Sequence, residues 1–225
     1  MIHTSEEWIR QYERKKALWI HDGNLKRPHA LLTSGKHSNG FFNSRLVIPD
    51  EALLQDAACD LLELFAQQGG EVSKVQVVVG PQTGATKLAE LVRDQVIFFK
   101  RGECFSASPA KSESEGKKTM VFSDEELVLL PGQSILLCED VLSTGGSVDL
   151  AETAIRNAGG SVLPFILVLV NRSGLIEVGG KKIIALIDHL MPMWTPEECP
   201  LCKNKEGSEA LRPKGENWAL LNASN

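Results

Sequence analysis

The stretch Cys138-Glu139-Asp140-Val141-Leu142-Ser143-Thr144-Gly145-Gly146-Ser147 holds the densest chemistry in the chain. Apolar Ile135 to Leu137 lead into two adjacent acids, then a short apolar step, then hydroxyls and glycines. Val148 to Ala158 has helical spacing and is closed by Gly159-Gly160, so the segment reads as buried strand, tight loop and helix start. Backbone N–H groups converge in such a loop, and the helix dipole adds partial positive charge, which together make a cradle for a phosphate dianion. Gly145 and Gly146 keep side chains out of the anion's way, while Ser143, Thr144 and Ser147 add hydroxyl donors. Glu139 and Asp140 would repel phosphate; carboxylates suit sugar hydroxyls, a cation or a developing positive charge. A phosphate cradle beside two acids points to a sugar phosphate. The pattern is neither the GxxxxGK[ST] loop, since no lysine follows the glycines, nor GxGxxG.

Elements that could position this loop alternate along the chain. Thr4-Ser5-Glu6-Glu7 is a capping box that predicts a helix to about Trp19, with Trp8, Tyr12 and Trp19 on its core face. Residues 24–43 read as irregular and polar. A second helix runs from Pro49-Asp50 through Gln67, and Val75 to Val79 is a short apolar strand. A helix to about Asp94, a strand over Val96–Phe99 and another over Thr119–Phe122 follow. Between them, 100–118 is a polar excursion expected to be mobile. Beyond the signature lie strands at Val162–Val170 and Lys182–Ile187, and a Pro- and Lys-rich tail from Met191 without a clear element. Strands alternating with helices, and apolar along their length, predict an α/β fold with a parallel sheet flanked by helices.

In such sheets ligands bind beyond the carboxyl ends of the strands. Gly80-Pro81-Gln82-Thr83-Gly84 leaves one strand and offers backbone donors for a second anion such as pyrophosphate, or is a plain turn. Asn171-Arg172-Ser173-Gly174 leaves another; its arginine could clamp a carboxylate in a bidentate fork or stand solvated.

At 225 residues and 43% hydrophobic the chain can bury one full core. A net charge of −5 with mixed signs gives no basic surface for nucleic acid. The first residues lack the basic and apolar regions of a signal peptide, and Val162–Val170 is too short to span a bilayer, so no membrane partner and a cytoplasmic location are expected. Of five cysteines, Cys59 and Cys138 read as small core residues. Cys199 and Cys202 have the spacing of half a zinc site, which Cys104 or His189 could complete in space; reduced, packed thiols are the expectation.

The signature resembles that of type I phosphoribosyltransferases, which bind phosphoribosyl pyrophosphate (PRPP). Thr33-Ser34-Gly35-Lys36-His37-Ser38-Asn39-Gly40-Phe41-Phe42-Asn43-Ser44-Arg45 resembles the N-terminal motif of the orotate phosphoribosyltransferases. Asn171-Arg172-Ser173-Gly174 resembles that family's Asp-Arg loop, Gly80 to Gly84 its pyrophosphate loop, and Pro196 to Cys202 a tail segment of some members. Ser143 stands at a family threonine, Asn171 at a family aspartate, and no histidine lies between 100 and 118.

The resemblance implies a single phosphoribosyltransferase domain over 1–225, with a core over about 46–188 and a small hood from 1–45 and 189–225. It implies transfer of ribose 5-phosphate from PRPP to orotate, giving orotidine 5′-phosphate and pyrophosphate, with Mg²⁺ carried on PRPP and no protein-held metal. Glu139, Asp140, Val141, Leu142, Ser143, Thr144, Gly145, Gly146 and Ser147 would bind PRPP. Phe41, Phe42, Ser143 and Arg172 would bind orotate, and Gly80, Pro81, Gln82, Thr83 and Gly84 the pyrophosphate. Lys100, Arg101 and Asp140 would be catalytic, in a homodimer whose mobile loop closes over the partner's site. Two other readings are a transferase for a different base and a PRPP-binding regulator without catalysis.

Overall fold

The computed structural model describes residues 2–114, 116–202 and 209–223. Helix α1 (Ser5–Arg14) opens on the capping box: the Thr4 hydroxyl accepts from Glu7 N–H and the Glu7 carboxylate accepts from Thr4 N–H. Trp8 and Tyr12 are buried on its inner face. The helix stops before Trp19, where Lys16 takes a left-handed φ of 51°, and Trp19 belongs instead to strand β1 (Leu18–Ile20). The stretch 24–43, expected to be irregular, carries β2 (His29–Leu31), β3 (His37–Ser38) and β4 (Gly40–Phe42). Helix α2 (Glu51–Gln67) starts at the side-chain cap of Asp50.

Strand β5 (Val77–Val79) feeds α3 (Thr86–Lys100). The strand expected over Val96–Phe99 is the last turn of this helix. Leu88, Ala89, Leu91, Val92 and Val96 keep a helical burial period, and no Gly or Pro interrupts it before Gly102. The next sheet strand is β6 (Phe105–Ala107), and a hairpin of β7 (Ala110–Ser114) and β8 (Lys117–Val121) follows it. The excursion 100–118 is therefore mostly paired backbone, and 119–122 is a hairpin arm rather than a strand of the parallel sheet. Helix α4 (Asp124–Leu127) leads to β9 (Ser134–Leu142), α5 (Gly146–Asn157), β10 (Ser161–Asn171), β11 (Glu177–Val178) and β12 (Lys181–Asp188). The tail holds β13 (Met193–Trp194), β14 (Ala210–Leu211) and α6 (Glu216–Asn222), where no element was expected. Residues 203–208 and 224–225 of the expected hood lie outside the described residues.

The central sheet has the order β11-β12-β10-β9-β5-β6 and is parallel except for the edge strand β11. Both faces are buried. Alternate residues serve opposite cores: Leu136, Cys138, Leu167 and Leu169 pack toward α1, α2 and α3, while Ile135, Leu137, Ile166 and Val168 pack toward α5. Pro164 lacks the N–H a ladder needs, and the β10–β9 register shifts between Val162 and Ile166. A second sheet of order β13-β3-β2-β14, with the β1–β4 pair beside it, makes a cap from both ends of the chain. Trp19 Nε1 donates to Leu221 O, and Arg27 donates to the carbonyls of Leu221 and Ala223, which fastens α6 to the N-terminal strands.

Candidate active site

The two acids stand at the carboxyl end of β9, next to the turn that starts α5. Gly145 is the N-cap of α5 at φ 82°, and it has no side chain to occupy the first-turn N–H groups. A Cβ there would also meet Val178 Cγ2 at 2.3 Å, so position 145 requires glycine for both conformation and space. Val141 to Val148, with Glu139, line a concavity at this helix start. The loop predicted to hold phosphate thus has the form of an anion cradle.

Glu139 is buried, and its Oε1 accepts from Asp140 N–H at 3.2 Å while Oε2 has no hydrogen-bond partner among the described residues. Burial, and then the charge of Asp140, push its carboxyl well above the usual carboxylate range. Lys111 on β7 is the cation that pulls it back down. Asp140 faces the Gly80–Gly84 loop: a Cβ on Gly84 would lie 2.6 Å from its carboxylate. That loop is in turn tied to the segment before β7, with Gln82 N–H donating to Pro109 O at 3.0 Å and Gln82 Nε2 to Ser108 O at 2.9 Å. The signature, the Gly80–Gly84 loop and the β6–β7 connection form one continuous wall.

Asp140 also lines a cleft of about 430 Å³ together with Phe41, Phe42, Ser143 and Arg172. Phe42 is locked edge-on against Tyr12 and His189, and Phe41 against Trp218 of α6. Arg172 is only 2% exposed. Its Nη2 donates to Ser38 Oγ at 2.6 Å, its Nε has no partner, and among the described residues it makes no ion pair. Burial lowers its pKa to about 10, so it stays charged at neutral pH. Asn171 is structural: its amide donates to Leu175 O and Asp188 Oδ1, and its Oδ1 accepts from Ser173.

Lys100 and Arg101 do not join this group. Lys100 Nζ donates to Val75 O at 2.7 Å, at the amino end of β5, which is about 15 Å along the strand from Gly80. Arg101 is the exposed, left-handed C-cap of α3. The strand expected at 96–99 is helix, so the polar excursion begins later in the chain than the sequence reading placed it. Lys111, on β7, was not singled out for the same reason. Arg45, Arg212 and Lys214 also line the cleft. Arg45 closes the N-terminal motif, but the tail's Arg212-Pro213-Lys214 gave only a compositional signal. Four cations against one lining acid favour a strongly anionic ligand.

Cys199 and Cys202 lie away from this wall, against the β2–β3 hairpin. Neither Cys104 nor His189 joins them; Cys104 packs in the core and His189 against Phe42. The residues that meet the two cysteines are His29 and His37.

A family model described as a phosphoribosyl transferase domain matches residues 52–189. A curated orotate phosphoribosyltransferase from a Nitratiruptor species is 30% identical over 210 residues, 87% of this chain and 95% of the relative. One from a Sulfurovum species is 34% identical over 206 residues, 84% of this chain and 92% of the relative. Among solved structures, an orotate phosphoribosyltransferase from Aeropyrum pernix superposes with a TM-score of 0.57 at 18% identity, covering 79% of this chain and 91% of that one. An adenine phosphoribosyltransferase from Rhodothermus marinus superposes with a TM-score of 0.54 at 17% identity, covering 81% and 98%. One fold thus carries proteins named for different bases.

Proposed function

The chain belongs to the phosphoribosyltransferase family, and on that premise we propose that it is an orotate phosphoribosyltransferase, joining orotate to the ribose 5-phosphate of PRPP with release of pyrophosphate. The observation that carries the base assignment is Arg172, a buried guanidinium with an unpartnered N–H and no carboxylate of its own among the described residues, lining a cleft with two aromatic rings. A buried cation without a counter-charge is unfavourable until an anion arrives, and orotate differs from uracil by one carboxylate. Phe41 and Phe42 offer the flat apolar walls that a pyrimidine ring requires.

The remaining parts follow the wall. The Ser143–Ser147 turn anchors the 5′-phosphate, so that binding energy remote from the reacting carbon fixes its position. Glu139 and Asp140 hold the ribose hydroxyls, directly or through water, and set negative charge beside a ring that gains oxocarbenium character as pyrophosphate leaves. Asp140 borders the base cleft, the signature and Gly84 at once, which suits a residue next to the reacting carbon. The Gly80–Gly84 loop receives pyrophosphate, and Lys111 takes the role that Lys100 was expected to have. Mg²⁺ would be carried on PRPP. The paired carboxylates, one with a buried bare oxygen, suit such an ion, and magnesium when bound neutralises charge on the leaving group.

A homodimer in the cytoplasm completes the reading. No helix of the described residues is long and apolar enough to cross a membrane. Phe98 is 74% exposed and stands edge-on to exposed Phe99, an apolar pair that a second copy could cover. The test is a panel of bases assayed with PRPP and Mg²⁺ for pyrophosphate release. Orotate should be the substrate used; turnover of uracil or adenine without orotate overturns the base assignment, and no turnover with any base leaves a PRPP-binding regulator.

A further inference from the structure

The segment after β13 brings Cys199 and Cys202 against His29 of β2 and His37 of β3, and their ligand atoms all lie within 4.8 Å of one another. His29 Nε2 is 3.0 Å from His37 Nδ1, 3.3 Å from Cys202 Sγ and 3.6 Å from Cys199 Sγ, and His37 Nδ1 is 3.1 Å from Cys202 Sγ. An imidazole nitrogen carries one hydrogen or one lone pair, so it makes one hydrogen bond. Three polar atoms around His29 Nε2, two of them also close to each other, are more than one proton can serve. Four lone pairs directed at one centre need no such proton.

Zinc bonds of about 2.0–2.1 Å to nitrogen and 2.3 Å to sulfur give a tetrahedron with edges of roughly 3.3–3.8 Å. The separations of 3.0, 3.1, 3.3 and 3.6 Å fall on or just inside those edges. His29 and Cys199 are wholly buried, His37 nearly so, and Cys202 sits at the rim. Two thiolates with two imidazoles select zinc over the hard divalent ions, and a full set of four protein ligands leaves no open position for catalysis. We propose that His29, His37, Cys199 and Cys202 bind one structural Zn²⁺ that staples the C-terminal tail to the N-terminal hairpin.

Its position explains why a staple belongs there. The four ligands come from strands and a turn too short to hold themselves: β2 has three residues, β3 and β13 two each. Sequence distances of 170 and 173 residues separate His29 from its cysteine partners, so one ion closes most of the chain into a loop. Leu31 to Ser34, between the two histidines, line the base cleft, as do Arg212 and Lys214 beyond the cysteines.

The full-length chain, purified under reducing conditions with zinc present and then dialysed, should retain about one zinc per chain by elemental mass spectrometry. Cobalt(II) put in its place should show the intense visible bands of a tetrahedral site and thiolate-to-cobalt charge transfer in the near ultraviolet. Cys202→Ser, at the rim, should weaken zinc binding by more than roughly a hundredfold, beyond the loss typical of an outer-shell change; Cys59→Ser, on α2, should leave it unchanged. A folded wild-type protein that retains no zinc, a six-coordinate cobalt spectrum without charge transfer, or undiminished affinity in Cys202→Ser would overturn the proposal. The cobalt spectrum needs no variant and stands even if Cys202→Ser fails to fold. None of these readouts depends on which base is the substrate.

Discussion

Replacing Arg172 with methionine should move affinity and stability in opposite directions. The fall of its pKa from 12.5 to about 10 corresponds to about 3 kcal/mol by which the folded interior disfavours the charged form. One hydrogen bond to Ser38 offsets part of that. Methionine keeps most of the volume and removes the charge, a change that in buried ion sites is often neutral or stabilising. Thermal unfolding of Arg172→Met should therefore be unchanged or higher by about 2–4 °C per kcal/mol recovered. Orotate loses a charge-assisted partner worth roughly 1.5–3 kcal/mol, so its KM should rise about tenfold to hundredfold. The KM for PRPP should stay put and the preference for orotate over uracil should shrink. A clear loss of thermal stability with an unchanged orotate KM would refute the reasoning and make Arg172 a structural residue.

Three further outcomes are expected. Glu139 has a folded-state pKa raised by burial and by Asp140, so its contribution to stability is complete below its unfolded value and is lost as pH rises through the folded one; Glu139→Gln should flatten that part of a melting-temperature profile and stabilise the protein at neutral pH, while lowering turnover. Lys111→Ala should slow turnover with little change in stability, and Lys100→Ala should do the reverse, since its ammonium caps Val75 O; steady-state kinetics with parallel melts distinguish them. Gly84→Ala would place a methyl 2.6 Å from the Asp140 carboxylate and should weaken PRPP binding, measured by calorimetry, far more than it perturbs the far-ultraviolet spectrum.

The signature was legible because it is contiguous: strand, acids, hydroxyls and glycines occur in the order in which they act. Arg172 was legible only through family likeness, since nothing in Asn171-Arg172-Ser173-Gly174 announces that the arginine is buried. The Val96–Phe99 misreading has a plain cause. Four apolar residues in a row fit a buried strand or the end of a helix equally well, and length decides between them only when the boundaries are known. Here Phe98 and Phe99 are exposed on a helix end, so their apolarity did not report burial in the core. The histidine partners of the cysteines were illegible for another reason: they lie far away in sequence, on two strands too short to show a period. Short strands held by pairing partners, as in β13 and β14, leave almost no local pattern.

The cap built from both ends of the chain has a consequence for biosynthesis. A ribosome delivers the parallel sheet and the signature turn before residues 210–222, and β2 cannot gain its parallel neighbour β14 until those residues emerge. Domains tend to fold as their segments become available, so the nascent chain should assemble the half that recognises ribose and phosphate first. Phe41, Phe42 and Arg172 are in the chain by then, but the support that Trp218 gives Phe41 and the Arg212 and Lys214 side of the cleft are the last parts finished.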